Sequence, residues 1–239
     1  MKKYYEKYKH AIPLIIYAVI YLTWFVYLEK TVVPKTIIHM KADDYIPFWE
    51  VFVIPYFLWF AYVSIVVLYC FFKNKQEYCR ACVFLFTGMS VFLIVSTLWP
   101  NGHHLRPYEM PRDNIFTSMV ARLYQTDTPT NLWPSIHVYN SIGAHLAVVY
   151  SLKLKGSGKE EALPAGISKF RKGIIAGSFI LCVSIILSTV FIKQHSLFDV
   201  LTAFVMAGVM YAVVYQLDVV AFFQASHAHQ KRNNRVHQV

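Results

Sequence analysis

Six stretches of this chain are apolar over nearly the length of a bilayer crossing: Ala11 to Leu28, Val51 to Phe72, Ala81 to Trp99, Ile136 to Leu152, Gly173 to Ile192 and Leu197 to Tyr215. A hydrocarbon layer of about 30 Å takes about 20 helical residues to cross. Backbone groups inside it must be bonded within their own segment, so such runs form helices. The pattern predicts an all-α integral membrane protein, a six-transmembrane-helix bundle forming one membrane domain over 1–239. Its helices are expected near 11–28, 51–72, 81–99, 136–152, 173–192 and 197–215. Composition agrees: 15% of residues are charged, against about 25% in soluble domains. The fourth run carries Asn140, Ser141 and His145 and is the least lipid-like, which predicts a place in the middle of the bundle.

Basic residues set the expected orientation, since short loops rich in Lys and Arg stay cytoplasmic. With the N-terminus inside, sixteen of the 23 Lys and Arg residues fall on inner segments. The remaining seven, Lys30, Lys35, Lys41, Arg106, Arg112, Arg122 and Lys193, fall outside. The net charge of +10 then follows from topology and attraction to anionic headgroups, and nucleic acid is not needed to explain it. The first run follows a basic segment but leads into Glu29 and Lys30 without a small-residue cleavage site, so it is expected to stay as an anchor helix. The aromatic segment YIPFWEVFVIPY suits the headgroup level, either as a belt or as a surface stretch shaping a lipid entrance. Cys79, in the presumed inner loop KNKQEYCR, and Cys82 have C-x-x-C spacing without a second pair or a nearby His, and neither disulfide nor metal is expected there. Residues 220–239 are read as a basic cytoplasmic tail in which His227 and His229 are solvated rather than metal-bound.

Chemistry concentrates between the third and sixth runs. In STVFIKQHSLFD, His195 and Asp199 stand at i,i+4, so a helix resuming there would place imidazole and carboxylate one turn apart on one face. A carboxylate at one ring nitrogen fixes the tautomer and frees the other nitrogen for nucleophilic or base work. Pro134, Ser135 and His137 open the fourth helix, where free amides and the helix dipole favour an anion. Pro100, Gly102, Pro107 and Pro111 exclude regular helix around Arg106, leaving a guanidinium on a constrained loop that suits a phosphate. Adjacent His103 and His104 lack a matching carboxylate cluster, and no metal is expected.

These segments resemble the three signatures of the type 2 phosphatidic acid phosphatase superfamily, K-x6-R-P, P-S-x-H and S-R-x5-H-x3-D. Pro134, Ser135 and His137 match the second in full. Ser188, His195 and Asp199 match the third, and Arg106 and Pro107 half-match the first. The resemblance implies that His195 is a nucleophile forming a phosphohistidine, that Asp199 orients it, and that His137 protonates the leaving oxygen. It also implies that Arg106, Ser135 and Ser188 bind the phosphoryl oxygens, without a cofactor or metal. The implied protein is a lipid-phosphate phosphatase of a membrane read as bacterial, with cytoplasmic termini and an extracytoplasmic site.

Two cations of the pattern are missing: Trp99 stands at the Lys position and Thr189 at the third-motif Arg. Lys193 is the nearest candidate replacement, with snorkelling to the headgroups as its other reading. Inositol phosphorylceramide and sphingomyelin synthases relax the same positions, so a lipid phosphotransferase is the alternative reading, and a non-catalytic lipid-binding scaffold a further one. Tyr108, Asn140 and His145 are candidate headgroup contacts. The expected partners are a phosphorylated lipid and membrane lipids; oligomeric state is left open.

Overall fold

The computed structural model describes residues 11–154 and 165–222. Seven α-helices run through them: α1 (Ile12–Thr31), α2 (Val53–Lys73), α3 (Lys75–Leu98), α4 (Ile115–Thr126), α5 (Ile136–Leu154), α6 (Ala165–Phe191) and α7 (Leu197–Tyr211), the last passing into a π-helical turn at Ala212–Gln216. Five of these, α1, α2 with its preceding 3₁₀ turn, α3, α6 and α7, are long and apolar enough to cross a membrane. The protein is therefore an all-α, multi-pass membrane type of chain.

Of the six expected spans, the fourth, α5, is not among those five. The helix is present where the fourth run lies, but its polar residues lower its hydropathy. It packs against α2, α3, α6 and α7, and Val138, Tyr139, Asn140, Ser141, Ala144 and Ala147 are all buried. A helix surrounded by helices does not need a lipid-compatible face, so hydropathy under-reports it. By contrast, α1 turns Ile15, Ile16, Val19, Ile20 and Leu22 outward, as lipid contact requires.

Three further boundaries differ from the apolar runs. No inner loop separates α2 from α3: Asn74 alone joins them, and its side chain accepts from Glu77 N, capping α3. Cys79 is consequently helical. The polar stretch belongs to the helix because Arg80 is held by Glu77 and by Asp218 beyond the last helix. Asp218 lies outside the spans, and its bond to Arg80 holds its carboxyl below the usual range. Helix α6 begins eight residues before its apolar run, since hydropathy marks only the hydrocarbon-embedded part of a helix. The third difference is α4, absent from the sequence reading. It is a short amphipathic helix capped by Asn114, whose side chain accepts from Phe116 N and Thr117 N, and it buries Thr117, Val120 and Leu123 on one face.

The same end of the bundle holds the ends of α1, α3 and α6 and the starts of α2, α5 and α7. There a two-residue parallel pairing of Thr36–Ile37 with Asn101–Gly102 ties the α1–α2 connection to the α3–α4 connection. Trp49, Phe52 and Phe191 gather their rings where the end of α6 meets the turn before α2. Residues 1–10, 155–164 and 223–239, with much of the basic charge expected on the cytoplasmic side and with His227 and His229, lie outside the described residues.

Helices α3 and α5 interlock through two small-for-large exchanges. The Tyr139 ring lies over Gly88, the Phe84 ring lies over Gly143, the two rings stack at 4.6 Å, and Tyr139 OH donates to Phe84 O at 2.8 Å. A Cβ on Gly88 would come within 2.0 Å of Tyr139 Cε1, and Tyr139 is fully buried. Gly88→Ala is expected to destabilise the protein by about 1–3 kcal/mol, read as a lowered melting temperature in detergent, whereas Gly208→Ala, which meets nothing, leaves it within error of wild type.

Candidate active site

His195 owes its position to the way α6 ends. Gln194 N and His195 N both donate to Thr189 O, Lys193 N donates to Val190 O, and Lys193 adopts a left-handed φ of 52°. This is a Schellman-type stop in which Lys193 occupies the position that usually favours Gly. Its strain is offset by the side chain, whose Nζ donates to the carbonyls of Asp43 (2.9 Å) and Ile46 (2.6 Å). Burial lowers the Lys193 pKa, and the Asp43 and Asp44 charges oppose that. Thr189, standing where the family pattern has Arg, is buried and supplies through its carbonyl the anchor for the turn.

The chain then restarts as α7. Ser196 Oγ accepts from Phe198 N, Asp199 accepts from Ser196 N, and buried Asp43 accepts from Ser196 Oγ and Leu197 N. Two carboxylates thus face the positive end of α7. Asp199 Oδ2 also lies 3.3 Å from His195 Nδ1, which leaves Nε2 of His195 facing His137 Nδ1 at 3.5 Å. His137, in the first turn of α5, lies against the rings of Tyr56 and Trp59 of α2, with ring centroids 4.6 and 4.4 Å away. Ser135 N donates to Asp199 O, and Ser135 Oγ accepts from Val138 N, joining the starts of α5 and α7.

Gln194 is the hub of the loop and was not singled out from the sequence. Its side chain accepts from Arg106 Nη2 (2.5 Å) and donates to Asp127 Oδ2 (3.0 Å), which also accepts from Tyr56 OH (2.7 Å). Its carbonyl accepts from His103 Nε2 at 2.9 Å. Arg106 stacks over Tyr124 at 4.2 Å and spends further donors on the carbonyls of Tyr124 and Asp127. The structure therefore brings His195, Asp199, His137 and Ser135 together, with Arg106 reaching them through Gln194.

Other sequence candidates lie elsewhere. Lys193 points to backbone carbonyls; Ser188 Oγ donates to Ile185 O. His145 bonds Ser178 Oγ at 3.0 Å deeper in the bundle, Asn140 is buried on α5, and Tyr108 is fully exposed. Arg112 pairs with Glu50 at 2.7 Å. Among the described residues no group of three or more His, Cys, Asp or Glu side chains is disposed to hold a metal. Asp127, Tyr56 and Trp59 were also missed; only the i,i+3 spacing of Tyr56 and Trp59 hinted at a shared face.

A cavity of about 340 Å³ opens beside the two histidines. Asp127, Asn131, His137, Gln194 and His195 form its polar end; α1, α2 and α3 supply hydrocarbon walls, including Phe25, Phe57, Phe60 and Phe92.

Residues 106–222, from Arg106 through α7, match the family model of the PAP2 superfamily. The chain belongs to that superfamily. Its members are phosphatases and phosphotransferases, and the matched residues include His137, Gln194 and His195 of the cavity. No curated protein and no solved structure matches the chain.

His103 links the site to acid stability. Its Nδ1 accepts from Leu105 N while Nε2 serves Gln194 O, so both partners fit only the neutral ring. Burial, foremost, pushes its pKa down from 6.5 to about 4. Because the folded value is depressed, unfolded chain takes up the proton first, and stability is lost as pH falls from about 6.5 through about 4. The contribution at neutral pH is about 3 kcal/mol. Melting curves between pH 7 and 4.5 are expected to show this slope in wild type and a flatter one in His103→Gln.

Proposed function

We propose that this PAP2-superfamily protein is a membrane lipid-phosphate phosphatase working through a phosphohistidine on His195. The observation that carries the reading is the line Asp199 Oδ2, His195 Nδ1, His195 Nε2, His137 Nδ1, with separations of 3.3 Å and 3.5 Å at its hydrogen-bonding ends, bordering a cavity with hydrocarbon walls. Asp199 accepts the Nδ1 proton and leaves the Nε2 lone pair to attack phosphorus. His137, on the far side of that nitrogen, protonates the departing alkoxide and later takes a proton from water. The starts of α5 and α7 and the hydroxyl of Ser135 border the phosphoryl oxygens, with Arg106 behind Gln194 as the nearest guanidinium. Ser188, and Lys193 behind its carbonyl clamp, shape the turn that presents His195.

In this reading α5 is the sixth crossing, the chain is one membrane domain, and the histidines lie on the extracytoplasmic side with both termini in the cytoplasm. The basic residues of the sequence support that orientation. A phosphotransferase is the second reading, favoured by the sparse cations and the Asp127 carboxylate in the cavity.

The test uses purified protein in phosphatidylcholine nanodiscs with a panel of lipid mono- and diphosphates. Wild type is expected to release phosphate and, on quenching, to carry an acid-labile, alkali-stable phosphoryl group. His195→Ala loses both, and His137→Ala lowers turnover on the order of 10²–10⁴-fold. Undiminished turnover in His195→Ala removes the mechanism.

A further inference from the structure

The turn that carries His195 is gripped from a part of the chain ahead of the family match, which begins at Arg106. The connection between α1 and α2 bonds that turn along its length. Trp49 N donates to Phe191 O, Lys193 Nζ donates to the carbonyls of Asp43 and Ile46, and the Asp43 carboxylate receives Ser196 Oγ (2.6 Å) and Leu197 N (2.8 Å). His195 stands between the last two of these holds. Asp43 is 1% exposed, and its Oδ2 also accepts from Met40 N at 2.8 Å, closing its own 3₁₀ turn at Lys41–Tyr45. Burying a carboxylate is costly unless donors replace its water. Here the donors are two backbone amides and one hydroxyl, groups that set the direction of the chain.

The route from Asp43 to His195 runs through Ser196. Ser196 Oγ accepts from Phe198 N, so its own proton points elsewhere, and Asp43 Oδ2 takes it. The hydroxyl is thereby fixed as the cap of α7. The Ser196 N–H is set toward Asp199 Oδ2 at 3.0 Å, the same oxygen that faces His195 Nδ1. With Leu197 N on Asp43 and Asp199 N on Ser196 O, each of the four amides at this helix start has an acceptor. Asp43→Asn breaks the set, because a side-chain amide has one accepting end. Whichever way it turns, its NH₂ meets a backbone N–H, that of Met40 or that of Leu197.

We infer that Asp43 is a positioning residue for the nucleophile: through Ser196 it holds the start of α7, and with it Asp199, in the register that orients His195. Its effect on turnover rests on the phosphohistidine reading above. The neighbouring Asp44 supplies the contrast, since its carboxylate bonds exposed His39 at 2.7 Å instead. Both aspartates line a cavity of about 530 Å³, together with His39, His104 and Lys193, that shares no lining residue with the cavity beside the two histidines. When the Asp43 side chain is truncated, this second cavity gives a small carboxylate from solution a path to the vacated position.

The test compares nanodisc-embedded wild type with Asp43→Asn, Asp43→Ala, Ser196→Ala, Asp44→Asn and the double variant Asp43→Asn/Ser196→Ala, turning over dioleoyl phosphatidic acid well below every melting temperature. In protein carrying isotope-labelled histidine, NMR also follows the Nδ1–H resonance that His195→Ala removes. Asp43→Asn is expected to lower kcat by about 10- to 10²-fold with KM little changed, and to shift or broaden that resonance. The double variant should lose little more than Asp43→Asn alone, since both changes act through one hydroxyl. Sodium formate, against sodium chloride at equal ionic strength, should raise kcat and restore the resonance in Asp43→Ala and do neither in wild type, while Asp44→Asn matches wild type. A lowered melting temperature with wild-type kcat and an unmoved resonance overturns the inference and leaves Asp43 a helix cap only. A raised KM at unchanged kcat overturns it as well, and losses that multiply in the double variant overturn the route through Ser196. If wild type neither turns over nor carries phosphohistidine, the resonance alone decides. Displaced in Asp43→Asn, it supports the positioning role and removes the phosphohistidine reading; unmoved, it overturns both.

Discussion

A helix carrying Asn140, Ser141, His145 and Ser151 cannot face lipid, and much of this structure follows from where it goes instead. Four helices pack around α5, and α3 approaches closely because Gly88 and Gly143 accommodate the rings of Tyr139 and Phe84. Polar groups that would be expensive against hydrocarbon are bonded inside the bundle, as with His145 to Ser178 and Ser141 to the His137 carbonyl. That packing fixes the first turn of α5, and with it His137, against Tyr56 and Trp59 of α2. The placement of His137 is in this sense a by-product of hiding a polar helix.

The second determinant is the five-residue passage from α6 to α7. A nucleophile on a loop is useful only if the loop has one conformation, and here each residue is tied down. Thr189 O receives two amides, Lys193 holds two carbonyls, Gln194 bridges Arg106 and Asp127, and Asp43 and Asp199 cap the next helix. Replacing the family's Arg by Thr189 and its Lys by Trp99 leaves the histidine and aspartate arrangement intact. The phosphate surroundings differ, because the nearest cation acts through an amide and a carboxylate stands in the cavity.

What the sequence by itself determined is the membrane class and the pairing of His195 with Asp199. Apolar runs of bilayer length force helices, since backbone bonds must close within each segment, and the i,i+4 spacing of His195 and Asp199 puts them in register whatever else the chain does. Tertiary structure alone decided the rest. The short amphipathic α4 escaped hydropathy, and the charged start of α3 looked like a loop because a cap and ion pairs, not apolarity, hold it helical. Lys193 was read as a phosphate ligand or snorkel because its sequence position is two residues from His195, whereas its left-handed backbone turns the side chain to Asp43 and Ile46. Tyr21, Trp59, the Asp127–Asn131 segment and Gln194 come from four separate places in the chain, with no spacing between those places to betray them. Only the packing of α1, α2 and the loops against α5 puts them around one cavity, since local periodicity carries no information about which faces of different helices will meet.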